Sequence, residues 1–342
     1  MLTPPDLAFE TIADVLRASY GLRARSATFL PLGADAYAAV FRIAVEDGGS
    51  DYFLKLKRGA FNDLEVALPV WLHGHGAAPV MAAQPAMSGA LWVTSDDYTW
   101  TLYPFFEGHN AFQSALTDAQ WVAVGAALRA IHSAHPPLDV AARLRQDDYG
   151  PRDRDRVRVW DARVAVETFA EPIAARLAAF WRDQRDSLRQ VVDRAEELGA
   201  LLRRRRPQRV LCHGDFHGAN MLFGADGALA IVDWDTASFS PPERDLMFAG
   251  SMISGRWDDN SREVALFYQG YNQGREPVIP DPTAEAYYRY ERIVTDVADF
   301  AIELFGVHGS VENRERSYGH FTGQVLPMHD IALADDVYAR IA

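Results

Sequence analysis

The strongest constraint on the fold of this chain is a change of apolar periodicity near residue 105. Before it, apolar residues alternate in short runs; after Gly108 they recur at helical spacing. Alternation over 38–45 and 51–57, either side of the turn formers Asp47, Gly48, Gly49 and Ser50, predicts a β-hairpin within an antiparallel sheet over 24–57. Ahead of it, Pro4 and Pro5 precede Leu7, Ile12, Val15 and Leu16, the pattern of a helix that stops near Gly21. A helix over 61–73 and strands over 90–94 and 98–105 complete a small β-rich N-terminal lobe, 1–105, with one packed helix. Helices are then predicted over 118–132, 155–170, 173–202, 242–252, 261–271 and 283–305, a larger and mainly helical C-terminal lobe, 106–342. The 342 residues exceed what one core usually serves, so the prediction is an α+β fold of two lobes sharing a hinge.

One stretch interrupts the helical half. Short apolar runs at 208–212 and 228–232 flank a turn-rich loop and predict a miniature hairpin, with the chemically richest residues at its edges. The loop reads HGDFHGAN, His213 to Asn220, and is followed by Asp233 in IVDWD. Phosphoryl transfer needs an aligned hydroxyl, metal-neutralised phosphates and a carboxylate that accepts the hydroxyl proton. Asp215 fits that base; Asn220 and Asp233 offer hard oxygen ligands suited to Mg²⁺. Gly-rich loops also use Asp and His simply to close turns. Zinc held by His213 and His217 at helical spacing is disfavoured, because Gly214 and Gly218 break the helix such a pair needs. Asp235 faces the same way as Asp233 on an extended segment, so spacing does not separate them.

This loop resembles that of the aminoglycoside phosphotransferase and choline kinase branch of the protein-kinase-like superfamily: His213, Gly214, Asp215, then Asn220, with Asp233 beyond a short apolar strand. The resemblance implies a bilobal kinase-like fold, ATP (with GTP as an alternative) and Mg²⁺ as cofactors, Asp215 as base, Asn220 and Asp233 as metal ligands, and His213 and Asp245 as structural supports of the loop. It also implies Lys55 in YFLKLKRG as the phosphate-binding lysine, with Glu65 as its helix partner. Lys57 shares the face of Lys55, and Asp63 lies near Glu65, so counting leaves both choices open. Gly33 is the sole glycine of LPLGADAYAAVF, where a kinase carries its Gly-rich loop, and the G-x-G-x-x-G pattern is absent. Tyr103, Pro104 and Phe105 stand where the family hinge holds adenine.

PPERDLMFAG, YYRYERIVTDVADFAIELF, YFLKLKRG and LYPFFEG resemble the spectinomycin 9-phosphotransferase branch more closely than choline or homoserine kinases. The expected activity is O-phosphorylation of a small cationic antibiotic, conferring resistance; the alternatives are a metabolic kinase for an amino alcohol or sugar, and a kinase-like binding module without turnover. A net charge of -13 suits a cationic substrate and disfavours nucleic acid or anionic membrane as partners. Asp296, Asp299 and Glu303 fall along one helical face and are the acidic substrate candidates, with Tyr287, Tyr290 and Trp257 as rings that stack on a cation or pack a core. The Arg203–Arg206 run before Pro207 reads as a solvated helix end. A lone Cys212 allows no intrachain disulfide, and no apolar run approaches the ~18 residues of a membrane span. A cytoplasmic protein is the expectation; oligomeric state is left open.

Overall fold

The computed structural model describes residues 4–32, 37–46, 48–257, 259–325 and 330–341. The chain opens with α1 (Phe9–Tyr20), β1 (Ala24–Leu30), β2 (Ala38–Val45), β3 (Tyr52–Arg58), α2 (Leu64–Gly74), β4 (Val93–Ser95), β5 (Tyr98–Pro104) and β6 (Gly108–Asn110). Next come α3 (Asp118–His132), α4 (Leu138–Ala141), β7 (Arg145–Gln146), α5 (Arg152–Val166), α6 (Pro172–Asp183), α7 (Arg185–Arg205) and β8 (Val210–Cys212). After a 3-10 turn at Gly218–Asn220 follow β9 (Met221–Gly224), β10 (Leu229–Ile231), β11 (Ser238–Ser240), α8 (Glu243–Leu246), α9 (Ser251–Ser254), α10 (Ser261–Asn272), α11 (Pro282–Phe305), α12 (Val311–Val325) and α13 (Asp330–Tyr338). This is an α+β chain with a β-rich N-terminal region and a helical C-terminal region. No described helix is long and apolar enough to cross a membrane.

Two compact units form. One gathers Met1–Arg145, Leu211–Ser238 and Phe248–Pro277; the other gathers Gln146–Val210, Phe239–Met247 and Val278–Ala342. In the first, the five-stranded sheet runs β1-β2-β3-β5-β4, with Val40 and Thr101 flanking Lys55 across the two ladders. Alternation on β3 does what the sequence predicts: Leu54 and Leu56 are fully buried with Ile12, Leu16, Ile43 and Trp100, which leaves Lys55 and Lys57 together on the opposite face. The first helix ends where predicted, at Gly21, whose left-handed φ of 69° lets Leu22 N–H reach back to the Leu16 carbonyl.

α3 and α10 meet backbone to backbone. A Cβ added at Gly125 would lie 1.9 Å from the Phe267 carbonyl oxygen, and one at Gly270 would lie 1.9 Å from that of Val122. Only glycine fits at either place.

The miniature hairpin differs from its prediction. Residues 228–232 do pair, as β10, but with β9, in the register Leu229–Phe223 and Ile231–Met221; β8 is not its partner. The turn of Gly224–Ala228 is too short to carry the HGDFHGAN loop, which therefore lies before the hairpin and not inside it. β6 pairs with the other edge of β9, His109 opposite Phe223.

In the second unit, α11 packs against α5, α7, α12 and α13 and buries Tyr287, Tyr288 and Tyr290. The single helix expected over 173–202 breaks at Gln184 into α6 and α7. Near the break Asp161 accepts from Trp181 Nε1 at 3.2 Å, Arg185 Nε at 2.8 Å and Arg189 Nη2 at 2.9 Å. The helix expected over 242–252 is likewise two short turns, interrupted at Gly250, whose φ of 95° and ψ of −119° suit glycine alone.

Candidate active site

The HGDFHGAN loop is tied down by its own first residue. His213 is fully buried; its Nε2–H donates to the Val232 carbonyl at 2.9 Å and its Nδ1 accepts from Asp215 N–H at 3.3 Å. The Thr236 hydroxyl donates to the His213 carbonyl at 2.9 Å, and the Trp234 and Phe216 rings meet the imidazole edge-on. These contacts fix the backbone on which Asp215 stands, its side chain one-fifth exposed.

Asn220 is brought against Asp215 by the 3-10 turn. Its Nδ2 donates to the Asp215 carbonyl at 2.9 Å and to Oδ2 at 3.3 Å, which turns its amide oxygen away from that carboxylate. Val232 N–H donates to the Asn220 carbonyl at 3.1 Å and so holds the segment bearing Asp233 beside the loop. Asp233 has a left-handed φ of 68°, a conformation that costs a non-glycine residue of order 1 kcal/mol and concentrates at functional sites. Its half-exposed carboxylate lies 3.9 Å from Lys55 Nζ. The Asp233 carboxylate and the Asn220 amide oxygen are hard donors of the kind Mg²⁺ takes, carried on segments joined by the Val232–Asn220 hydrogen bond.

Asp235 keeps an exposed edge, yet desolvation of its carboxylate, with Asp233 close by as the next cause, pushes its carboxyl up to about 6. Asp233 and Asp235 thus lie in one electrostatic field, as spacing suggested.

The lysine pairing departs from expectation. Glu65 is buried and bound by Lys57, Nζ to Oε2 3.4 Å, whereas Lys55 points to Asp233. Asp63 pairs with Arg143. The two strand lysines divide the acidic partners: Lys57 pairs with the helix glutamate, and Lys55 faces Asp233.

At the end of β5, Tyr103 is partly buried, its hydroxyl held well above the usual phenol range by desolvation and by the negative charges of Glu65 and Asp233. Pro104 is exposed. Phe105 donates its N–H to the Asp51 carbonyl at 3.0 Å, and Arg42 covers its ring at 4.1 Å, so that N–H is not available to adenine. Gly33 lies outside the described residues.

Asp245 is fully buried in α8. The acidic face of α11 already carries partners: Asp296 accepts from Arg292 at 2.9 Å, Asp299 from Arg156 at 2.7 Å, and Glu303 from the Ser317 hydroxyl at 2.8 Å. Asp299 is exposed and engages Arg156 through Oδ1. Tyr287 and Tyr290 take the core alternative, Tyr290 with its hydroxyl 2.6 Å from Asp335 Oδ1; Trp257 stays exposed.

Two contributors escaped the functional reading of the sequence. His217, weighed in the sequence as a polar loop residue and as a disfavoured zinc ligand, has Nε2 3.2 Å from Asp215 Oδ2. Phe112, half exposed, stacks on it at 5.8 Å and 14°. Phe112 carried no signal in the sequence, since it lies far from the motif in the chain.

A profile of the phosphotransferase enzyme family matches residues 28–287, well over half of the chain. The chain belongs to that family. This phosphotransferase is similar to the spectinomycin phosphotransferase APH(9)-Ia. The structure of that protein with ADP and spectinomycin shares 28% identity and a TM-score of 0.87, over 98% of this chain and 99% of that one. The AMP-bound structure of the same protein gives 27% identity, a TM-score of 0.82 and coverage of 96% and 98%. Protein StrN of Streptomyces griseus is 29% identical over 255 residues, 70% of this chain and 74% of the relative. The phosphotransferase is thus an enzyme of the small-molecule kinase kind, with the kinase-like α+β fold that the catalytic loop implied.

Proposed function

We propose that this enzyme transfers the γ-phosphoryl group of ATP, with Mg²⁺, to a hydroxyl of a small cationic acceptor, spectinomycin or another aminocyclitol. The observation that supports the chemistry is that Asp215, Asn220, Asp233 and Lys55 lie in one compact unit, paired as Asn220 with Asp215 and Lys55 with Asp233. In this reading Asp215 takes the acceptor proton as the oxygen attacks phosphorus. Lys55 binds the nucleotide phosphates, and the Lys57–Glu65 pair keeps the strand and helix beside it in register. Asn220 and Asp233 would hold Mg²⁺, which would supply positive charge beside the phosphates. Residues 1–105, Tyr103–Phe105 among them, serve the nucleotide and 106–342 the catalysis and acceptor. The cytoplasm, where ATP is abundant, is the compartment this reading requires.

The acceptor assignment rests on similarity over nearly the whole chain to a protein solved with spectinomycin and ADP, and on the charge of -13, which suits a cation. Asp296, Asp299 and Glu303 remain the acidic candidates for the cation, alongside the partners they already hold. The full set of catalytic residues speaks against a silent binding module.

The test is ATP consumption, and separately GTP consumption, against spectinomycin, other aminoglycosides, choline and homoserine, with products identified by mass. A phosphorylated aminocyclitol supports the proposal. Turnover with choline or homoserine alone replaces the antibiotic by a metabolic acceptor, and no turnover with any hydroxyl overturns the kinase reading.

A further inference from the structure

His217 belongs to neither the metal-binding pair nor the nucleotide set, yet it is a side chain that touches Asp215. Ala219 N–H donates to His217 Nδ1 at 3.2 Å, so a neutral ring carries its proton on Nε2, the atom 3.2 Å from Asp215 Oδ2. The ring plane is fixed by Phe112 stacked on one face and by the Phe248 ring, tilted, at 6.4 Å. Gly218 makes that packing feasible: a Cβ there would lie 2.1 Å from the Ile253 carbonyl oxygen and 2.7 Å from the Phe112 ring. Asp215 Oδ2 therefore receives Asn220 Nδ2 and His217 Nε2 together, two donors from two directions on one oxygen.

We propose that His217 is a positioning residue for the reaction, its Nε2–H fixing the rotamer of the Asp215 carboxylate without touching substrate. This rests on the reading of Asp215 as the base. A neutral donor suits that role, because it orients the carboxylate while leaving the negative charge needed to accept a proton. Phe112 acts one step further out by holding the imidazole plane.

Two substitutions separate positioning from a purely local structural role. His217→Asn keeps an acceptor near the place of Nδ1 for Ala219 N–H but loses the donor that reaches Asp215. His217→Gln keeps an amide donor near the place of Nε2 and loses the acceptor. The assay is ATP turnover with spectinomycin as acceptor, with ATP hydrolysis by water read in parallel, and nucleotide KM and melting temperature recorded for each variant. Positioning predicts that His217→Asn loses about 10- to 100-fold in kcat at unchanged nucleotide KM, while His217→Gln stays within about threefold of the parent. It also predicts that His217→Asn adds nothing further to Asp215→Asn, because the two act as a unit. The reverse order, Asn active and Gln inactive, or a double variant with multiplied losses, overturns the proposal. Wild-type turnover in Asp215→Asn alone overturns the base reading instead, so the two failures are distinguishable.

Discussion

Lys57 Nζ lies 3.4 Å from Glu65 Oε2, and that carboxylate is buried on the first turn of α2. Its neighbour Lys55, on the same face of β3, reaches Asp233 at 3.9 Å. Removing Lys57 leaves a buried carboxylate without its cation, which costs stability; removing Lys55 takes charge from the exposed side of the site. Lys57→Met is expected to lose about 2 kcal/mol in denaturant unfolding, and Lys55→Met to unfold like the parent but with a nucleotide KM raised about tenfold or more. An inverted pattern would assign phosphate binding to Lys57.

Asp233 combines the carboxylate proposed as a metal ligand with a left-handed backbone, and the two are separable. Asn tolerates that conformation nearly as well as Asp and Ala does not. Asp233→Asn should therefore melt at the parent temperature and lose Mg²⁺-nucleotide binding, while Asp233→Ala loses the binding and about 1 kcal/mol besides. Normal binding in both variants transfers the ligand role to Asp235.

The approach of α3 and α10 at Gly125 and Gly270 leaves no room for a methyl group. Gly125→Ala and Gly270→Ala should each destabilise by about 3 kcal/mol or more, against the usual benefit of alanine within a helix. Thermal unfolding decides it, and a stabilised variant would contradict the backbone contact.

The cluster on Asp161 sets a pH dependence. Burial raises the carboxyl, but hydrogen bonds from Arg185, Arg189 and Trp181 outweigh it and hold the carboxyl below its ordinary 3.8. A depressed native pKa contributes stability that is present above the unfolded value and lost as pH falls through the native one. Asp161→Ala should cost about 1–3 kcal/mol at pH 7, and the gap to the parent should close on acidification below about 3.8. A gap that is constant with pH in urea titrations would exclude ionisation as its source.

The legible parts of this molecule are those whose physics is local. Leu54 and Leu56 alternate with Lys55 and Lys57, so β3 and its buried face could be read directly, and Gly21 marked the end of α1. The HGDFHGAN loop made the family legible, because few other chemistries favour a carboxylate and an amide at that spacing. Which lysine meets Glu65 was not, since period two places both on one face and only the position of α2 decides between them. The short strands β6 and β9 hold too few residues for alternation, so the hairpin was assigned one wrong strand. The break at Gln184 lacks Gly or Pro, and the surrounding side chains converge on Asp161 from a distant helix. His217 stood in plain view within the motif, but its role depends on Phe112, which only the fold brings beside it.

The central claim is that Asp215 is the base of a phosphoryl transfer. The direct measurement compares wild type and Asp215→Asn for Mg²⁺-ATP binding by calorimetry and for single-turnover phosphorylation of the acceptor identified in the substrate panel. The account predicts binding within about threefold of wild type and a transfer rate lower by about 100-fold or more. Transfer at the wild-type rate by the asparagine variant would contradict it.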